Sequence, residues 1–275
     1  MAYKSSPKPS FDKITHIVYK NLKTYMWGDK ESGFVKDWIY ISNKYLHQII
    51  FGMKPKGYFK HSKEYRTIFG SDELLYVLSG TLIINNPKTG ETHKVDKGES
   101  VFFRKNTWHH AFNYSNKNLK VLEYFSPPPL TGTSGIYAKK QPYLTKPKYK
   151  RNINHLDKNF KNQDSFKIIR EEDYVWGIKN TDDNQLKSLL IATLIETEFL
   201  KVKKIYLTPN QETCYMYFNK QTTFLSLSNN IYFETKSDIK GNLSKYDGLF
   251  LTNNSSCCFK NFNKTDAYLI YCEST

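Results

Sequence analysis

Gly98-Glu-Ser-Val-Phe-Phe-Arg-Lys-Asn-Thr-Trp-His109-His110-Ala-Phe-Asn113 returns in altered form as Tyr246-Asp-Gly-Leu-Phe-Leu-Thr-Asn-Asn-Ser-Ser-Cys257-Cys258-Phe-Lys-Asn261, 148 positions further along. In each copy an apolar, strand-like run leads into a polar turn. Asn113 and Asn261 align, while Phe112 and Phe259 are one place out of step. The first copy carries imidazoles where the second carries thiols. The pattern predicts a duplicated β-unit whose polar chemistry survives in the first copy only.

The repeat extends outward from this stretch. Tyr25-Met-Trp-Gly28 parallels Tyr174-Val-Trp-Gly177, and Lys54-Pro-Lys-Gly57 parallels Thr208-Pro-Asn-Gln211. Leu74-Leu-Tyr-Val-Leu-Ser-Gly80 parallels Phe224-Leu-Ser-Leu-Ser-Asn229, with Asn229 expected to take over the left-handed turn of Gly80. Aromatic and β-branched runs at 38–41, 46–53, 73–78, 81–85, 100–103, 109–114 and 119–124 read as short strands separated by Gly, Pro and Asn turns. Such spacing predicts a sandwich or barrel. Pro127-Pro-Pro129 should stop the first unit. The expected organisation is a first domain over 1–129, a connector over 130–165 with a short helix around 155–160, and a second domain over 166–275.

Composition narrows the function classes. The 275 residues carry 41 Lys and Arg against 26 Asp and Glu, a formal charge of +15. The lysines are scattered among Asn, Ile, Tyr and Phe, and no helix-turn-helix, zinc-finger or RNA-binding motif accompanies them, so no nucleic-acid partner is expected. The charge suits attraction of an anionic small-molecule substrate. No apolar run approaches the roughly 20 residues of a spanning helix, and the first ten residues hold no secretory core. No membrane association and a cytoplasmic location are expected. The four cysteines, Cys214, Cys257, Cys258 and Cys272, form no C-x-x-C pair and read as small apolar side chains in a reducing compartment.

Glu73-Leu-Leu-Tyr-Val-Leu-Ser-Gly80 resembles the end of the first cupin motif, E-x6-G, and Gly98, His109 and Asn113 resemble the second, G-x5-P-x-G-x2-H-x3-N. With both repeats the chain is similar to a bicupin over nearly all of its length. The resemblance implies an all-β chain of two double-stranded β-helix (jelly-roll) domains in tandem, with a ligand site inside the barrel. It also implies a homodimer formed through long N-terminal strands. Many cupins hold one divalent transition metal (Fe, Mn, Ni or Zn) through an H-x-H pair, the Glu of the first motif and the His of the second. Glu73 and His109 would then be catalytic residues and metal ligands.

The chain departs from the family where the H-x-H pair belongs, holding Arg66, Thr67, Ile68 and Phe69 instead. The nearest histidine, His61, completes a metal site only if the turn before Glu73 is long. In an extended strand His61, Lys63, Tyr65 and Thr67 would share one face. Lys63, Tyr65, Arg66, Tyr76 and Trp108 are the candidate substrate-binding residues, with Arg66 the clamp for an anionic group. Packing is the plainer role for Tyr76 and Trp108. Arg104 and Asn106 replace the Pro and Gly of the second motif.

In the second unit Cys257 and Thr222 replace the motif His and Glu, which predicts a structural barrel. Two function classes stay open. One is a small-molecule enzyme in the N-terminal barrel, either a metal-dependent oxygenase or lyase or a metal-free isomerase or epimerase using His109 and Glu73 as acid and base. The other is a non-catalytic ligand-binding or structural bicupin.

Overall fold

The computed structural model describes residues 6–128, 133–150, 165–179 and 189–274. The chain divides into two compact units. The large sheet of the first runs, edge to edge, β12 (Lys167–Ile169), β9 (Ser100–Phe103), β6 (Asp72–Ser79), β11 (Leu119–Ser126), β4 (His47–Met53), β3 (Gly33–Ser42) and β2 (Thr24–Asp29). Its small sheet runs β5 (Tyr58–Phe59), β10 (His110–Phe112), β7 (Thr81–Asn85) and β8 (Thr92–Asp96).

The second unit repeats this order strand for strand. Its large sheet is β1 (Thr15–Ile17), β20 (Gly248–Leu251), β17 (Thr222–Ser226), β22 (Ala267–Glu273), β15 (Lys201–Leu207), β14 (Leu189–Glu196) and β13 (Trp176–Lys179). Its small sheet is β16 (Met216–Phe218), β21 (Ser255–Asn261), β18 (Ile231–Thr235) and β19 (Lys240–Leu243). All described pairings are antiparallel. Each unit is therefore a jelly roll built from two stacked sheets.

The sequence-drawn boundaries need correction at both ends. Residues 9–22 belong to the second unit, where β1 pairs with β20, and residues up to 171 belong to the first, where β12 pairs with β9. Each large sheet is thus completed by a strand drawn from before or after its own repeat, a long-range pairing that local periodicity does not encode. Within 130–165 the described part holds one helix, α1 (Thr133–Lys140). The helix expected around 155–160 lies outside the described residues.

Strands 81–85 and 100–103 fall where the sequence placed them, and the others differ by a few residues at their ends. The missed strands are short or polar: β5 is two residues long, and β8 reads Thr-His-Lys-Val-Asp with one buried side chain. The left-handed residue of the second unit's hairpin is Asn230 (φ 58°), one place past the expected Asn229. The connection there is longer than the single Gly80 between β6 and β7.

Alternation fills each barrel. In the first unit Leu75, Val77, Val101, Phe103, Val121 and Phe125 point inward with Phe51, Phe59 and Phe69. Burying each such side chain contributes about 1.5–3 kcal/mol, and large aromatic rings leave little empty space. Glu73 and Glu123 keep the same alternation, so the strand pattern carries two carboxyls into this apolar interior.

Candidate functional site

His109 immediately precedes β10, and its backbone N–H donates to the Thr67 carbonyl at 3.1 Å. Its ring turns inward against Phe103, Phe59 and Phe69, with centroids 4.6, 5.6 and 5.6 Å away. Glu73 lies on the central strand β6, paired with Phe103 on one side and Phe125 on the other. Glu73 Oε1 and His109 Nε2 stand 3.7 Å apart, each residue 1% exposed. That gap is too long for a hydrogen bond, and neither atom has another hydrogen-bond partner. The structure therefore brings the two principal candidates together inside the barrel.

A second carboxyl shares the site. Glu123, on β11 beside β6, hydrogen-bonds Glu73, and both are fully enclosed. Burial raises Glu73 well above the ordinary carboxyl value, helped by the charge of Glu123 and by the bond between them. Burial also raises Glu123, to about 7. Asp37 on β3 is raised as well, by burial first and then by Glu123. Burial lowers His109 to about 4. The 3.7 Å approach is accordingly between a neutral imidazole and a protonated acid, not between ions. The His109 Nδ1–H points to the Thr107 carbonyl at 3.4 Å, leaving the Nε2 lone pair facing Glu73.

The cupin-domain family model matches residues 70–125, the stretch that carries Glu73, His109 and Glu123. Over that stretch the chain matches a cupin domain. Solved structures share the fold of the whole chain at low identity. Ylba from E. coli is 9% identical, with TM-score 0.65, covering 99% of this chain and 95% of its own. Oxalate decarboxylase from Lactobacillus farciminis, in its formate complex, is 9% identical, with TM-score 0.63, covering 100% and 89%. AerE from Microcystis aeruginosa is 7% identical, with TM-score 0.60, covering 94% and 98%. A search of the curated proteins finds no match.

The donor set of this barrel does not fit a divalent transition metal. Where the resemblance puts the H-x-H pair stand Arg66, Thr67, Ile68 and Phe69, none of them a histidine or a carboxylate. Phe69 packs its phenyl ring against His109, and Thr67 lends its carbonyl to the His109 amide. His109 Nε2 and Glu73 Oε1 remain as two converging donors. Among the described residues no group of three or more His, Cys, Asp or Glu could hold an ion. Two donors ringed by phenyl groups leave most of a four- to six-ligand sphere without protein atoms.

His61 is corrected from third ligand to a partner of His110. Its Nδ1 lies 2.7 Å from His110 Nε2, and its Nε2–H donates to the Leu144 carbonyl at 2.8 Å. His110 alternates with His109 and faces the other side of the strand, so this pair sits outside the barrel interior. The chain between β5 and β6 forms no strand, which is why His61, Lys63, Tyr65 and Thr67 share no common face.

The proposed substrate contacts also scatter. Arg66 is no anion clamp: its guanidinium donates to the carbonyls of Ala138, Lys139 and Gln141 at 3.0, 3.3 and 2.8 Å, capping the C-terminal end of α1. Lys63 is exposed, and Tyr65 packs edge-on against Trp27 at 4.8 Å. Trp108 is buried with Ile68 and Ala138 under the connector. Tyr76 is buried on the face of β6 opposite to Glu73.

In the C-terminal unit the equivalent interior is apolar. Met216, Phe218 and Cys257 join Phe224, Phe259 and Tyr271 in one core. Thr222 satisfies its hydroxyl on the Lys220 carbonyl at 3.1 Å. Burial pushes the Cys257 thiol well above its ordinary value, which removes thiolate reactivity.

Sequence reasoning missed Glu123 and Asp37. Both sit within apolar strands on the inward alternation, Glu123 between Val121 and Phe125, Asp37 after Val35. A carboxyl on the apolar phase of a strand was the available signal.

Proposed function

We propose that the N-terminal barrel is a metal-free acid–base site for a small molecule, with His109 as base and Glu73 as acid. The observation that carries this reading is the pair of unpartnered buried atoms, His109 Nε2 and Glu73 Oε1, aimed at each other across 3.7 Å. Buried polar atoms without partners cost about 1–3 kcal/mol each, which packing alone does not repay. A neutral imidazole accepts a substrate proton at Nε2. Glu73, kept protonated by burial and by the Glu123 beside it, gives that proton to a neighbouring substrate oxygen. Return of the His109 proton to a different substrate atom gives an isomerisation, or to the other face of the same carbon an epimerisation, and Glu73 is restored by taking back the proton of the enol hydroxyl it had formed.

The net charge of +15 favours an anionic substrate. Four free, buried cysteines agree with a cytoplasmic location, and no described helix is long and apolar enough to cross a membrane. The homodimer implied by the family is part of the same proposal, read directly by light scattering of the full chain.

A second reading has its own observation. Phe59, Phe69 and Phe103 enclose the His109 ring, so a substrate enters only if one of them swings aside. If none does, the domain is a structural or ligand-holding cupin. Screening keto acids, hydroxy acids and sugar phosphates for solvent deuterium incorporation by NMR separates the two. Incorporation that falls about 100-fold or more in His109→Gln and Glu73→Gln supports acid–base chemistry. No incorporation across the panel supports the structural reading.

A further inference from the structure

We infer that the outer face of the N-terminal unit carries a second binding site, built on Trp38, for a small planar aromatic anion. The site is independent of the barrel chemistry, because Lys36 and Trp38 alternate with the inward Asp37 and so face the other way.

The register across four strands creates it. Met26, Lys36, Gly52 and Lys120 lie in one row on β2, β3, β4 and β11. Gly52 leaves a gap in that row, and the Trp38 indole lies across it. A Cβ added at Gly52 would meet Trp38 Cζ3 at 2.9 Å and Cη2 at 3.3 Å, so a side chain there would displace the ring. The ammonium groups of Lys36 and Lys120 stand over the indole, 5.1 and 5.4 Å from its centroid.

Beside this platform Met26 and Phe34 are 54% and 53% exposed, large apolar side chains left in water. They border a groove of 670 Å³ whose lining includes three lysines and no carboxylate. That volume matches a drug-sized ligand, and an apolar surface with a few convergent charges is the composition such sites have. A flat ring stacks on the indole, and its anionic group lies between the two ammonium groups. Partial burial against the apolar floor strengthens that attraction relative to open water.

The test uses the full chain and two probes, the aromatic anion 8-anilinonaphthalene-1-sulfonate and its uncharged analogue N-phenyl-1-naphthylamine. The sulfonate should bind saturably at one site. Its Kd should rise fivefold or more in Lys36→Gln/Lys120→Gln and in Trp38→Leu, while the neutral probe loses affinity in Trp38→Leu alone. A smaller rise in sulfonate Kd in either variant, with an unchanged circular dichroism spectrum, overturns the site. So does an equal loss of both probes in the lysine variant. If Phe34→Lys converts a dimer to a monomer, a second copy of the chain covers the groove and the inference also falls.

Discussion

Asn113 and Asn261, one in each unit, make the same set of hydrogen bonds. The Asn113 side-chain amide donates to the carbonyls of Met53, Lys54 and Lys117 at 3.2, 3.0 and 2.8 Å. The Asn261 amide donates to those of Leu207, Thr208 and Thr265 at 3.2, 2.9 and 2.9 Å. Their backbone amides donate to Gly57 and Gln211, both at 2.9 Å. Each asparagine ties the end of a small-sheet strand to two loops. Alanine at either position leaves buried carbonyls without donors and should cost about 2–4 kcal/mol. Thermal unfolding of the two single variants should show similar losses; a negligible change in either would contradict the latch.

The buried carboxyls set an alkaline limit to stability. Glu123 is raised from 4.5 to about 7 in the folded state, so between those values the folded chain binds more protons than the unfolded one. Its contribution is fully present below pH 4.5 and is lost as pH rises through about 7, at up to about 1.4 kcal/mol per pH unit. Glu73 and Asp37, raised in the same direction, add to this slope. His109 acts oppositely: lowered from 6.5 to about 4, its contribution is present above 6.5 and lost as pH falls towards 4. Urea unfolding of Glu123→Gln should show a flatter decline between pH 4.5 and about 7 than wild type.

Arg66 anchors the connector. Arg66→Ala removes three charged donations to the end of α1 and should cost about 1.5–3 kcal/mol. Lysine should restore only part, since it lacks the planar fork. Limited proteolysis should cut first within 133–150 in the alanine variant, with binding at the Trp38 groove unchanged.

Metal should be dispensable. Protein purified without chelator should carry well under one equivalent of Fe, Mn, Ni or Zn, and dialysis against EDTA should leave the melting temperature within about 1 °C. A stoichiometric metal lost together with several degrees of stability would reinstate a ligand sphere around His109 and Glu73.

The legible part of this protein was the part with a local period. Turn residues, inward alternation and the 148-residue echo placed most strands and the duplication, because each rests on neighbours in the chain. Glu73 and His109 were legible through motif positions whose spacing survives. Arg66 was not, since a free guanidinium and one capping a helix 72 residues away look alike in sequence. His61 failed for a related reason: without a regular strand between β5 and β6, alternation gave no direction for its side chain.

The amino-acid order alone determined two jelly rolls and which of them keeps ionisable groups at its centre. Tertiary structure decided the rest: the exchange of β1 and β12, the meeting of Glu123 with Glu73, and the phenyl rings closed around His109. Alternation tells a residue which side of its strand to take. Only the closing of the sheets decides which distant residues it meets there, and that convergence sets protonation and chemistry.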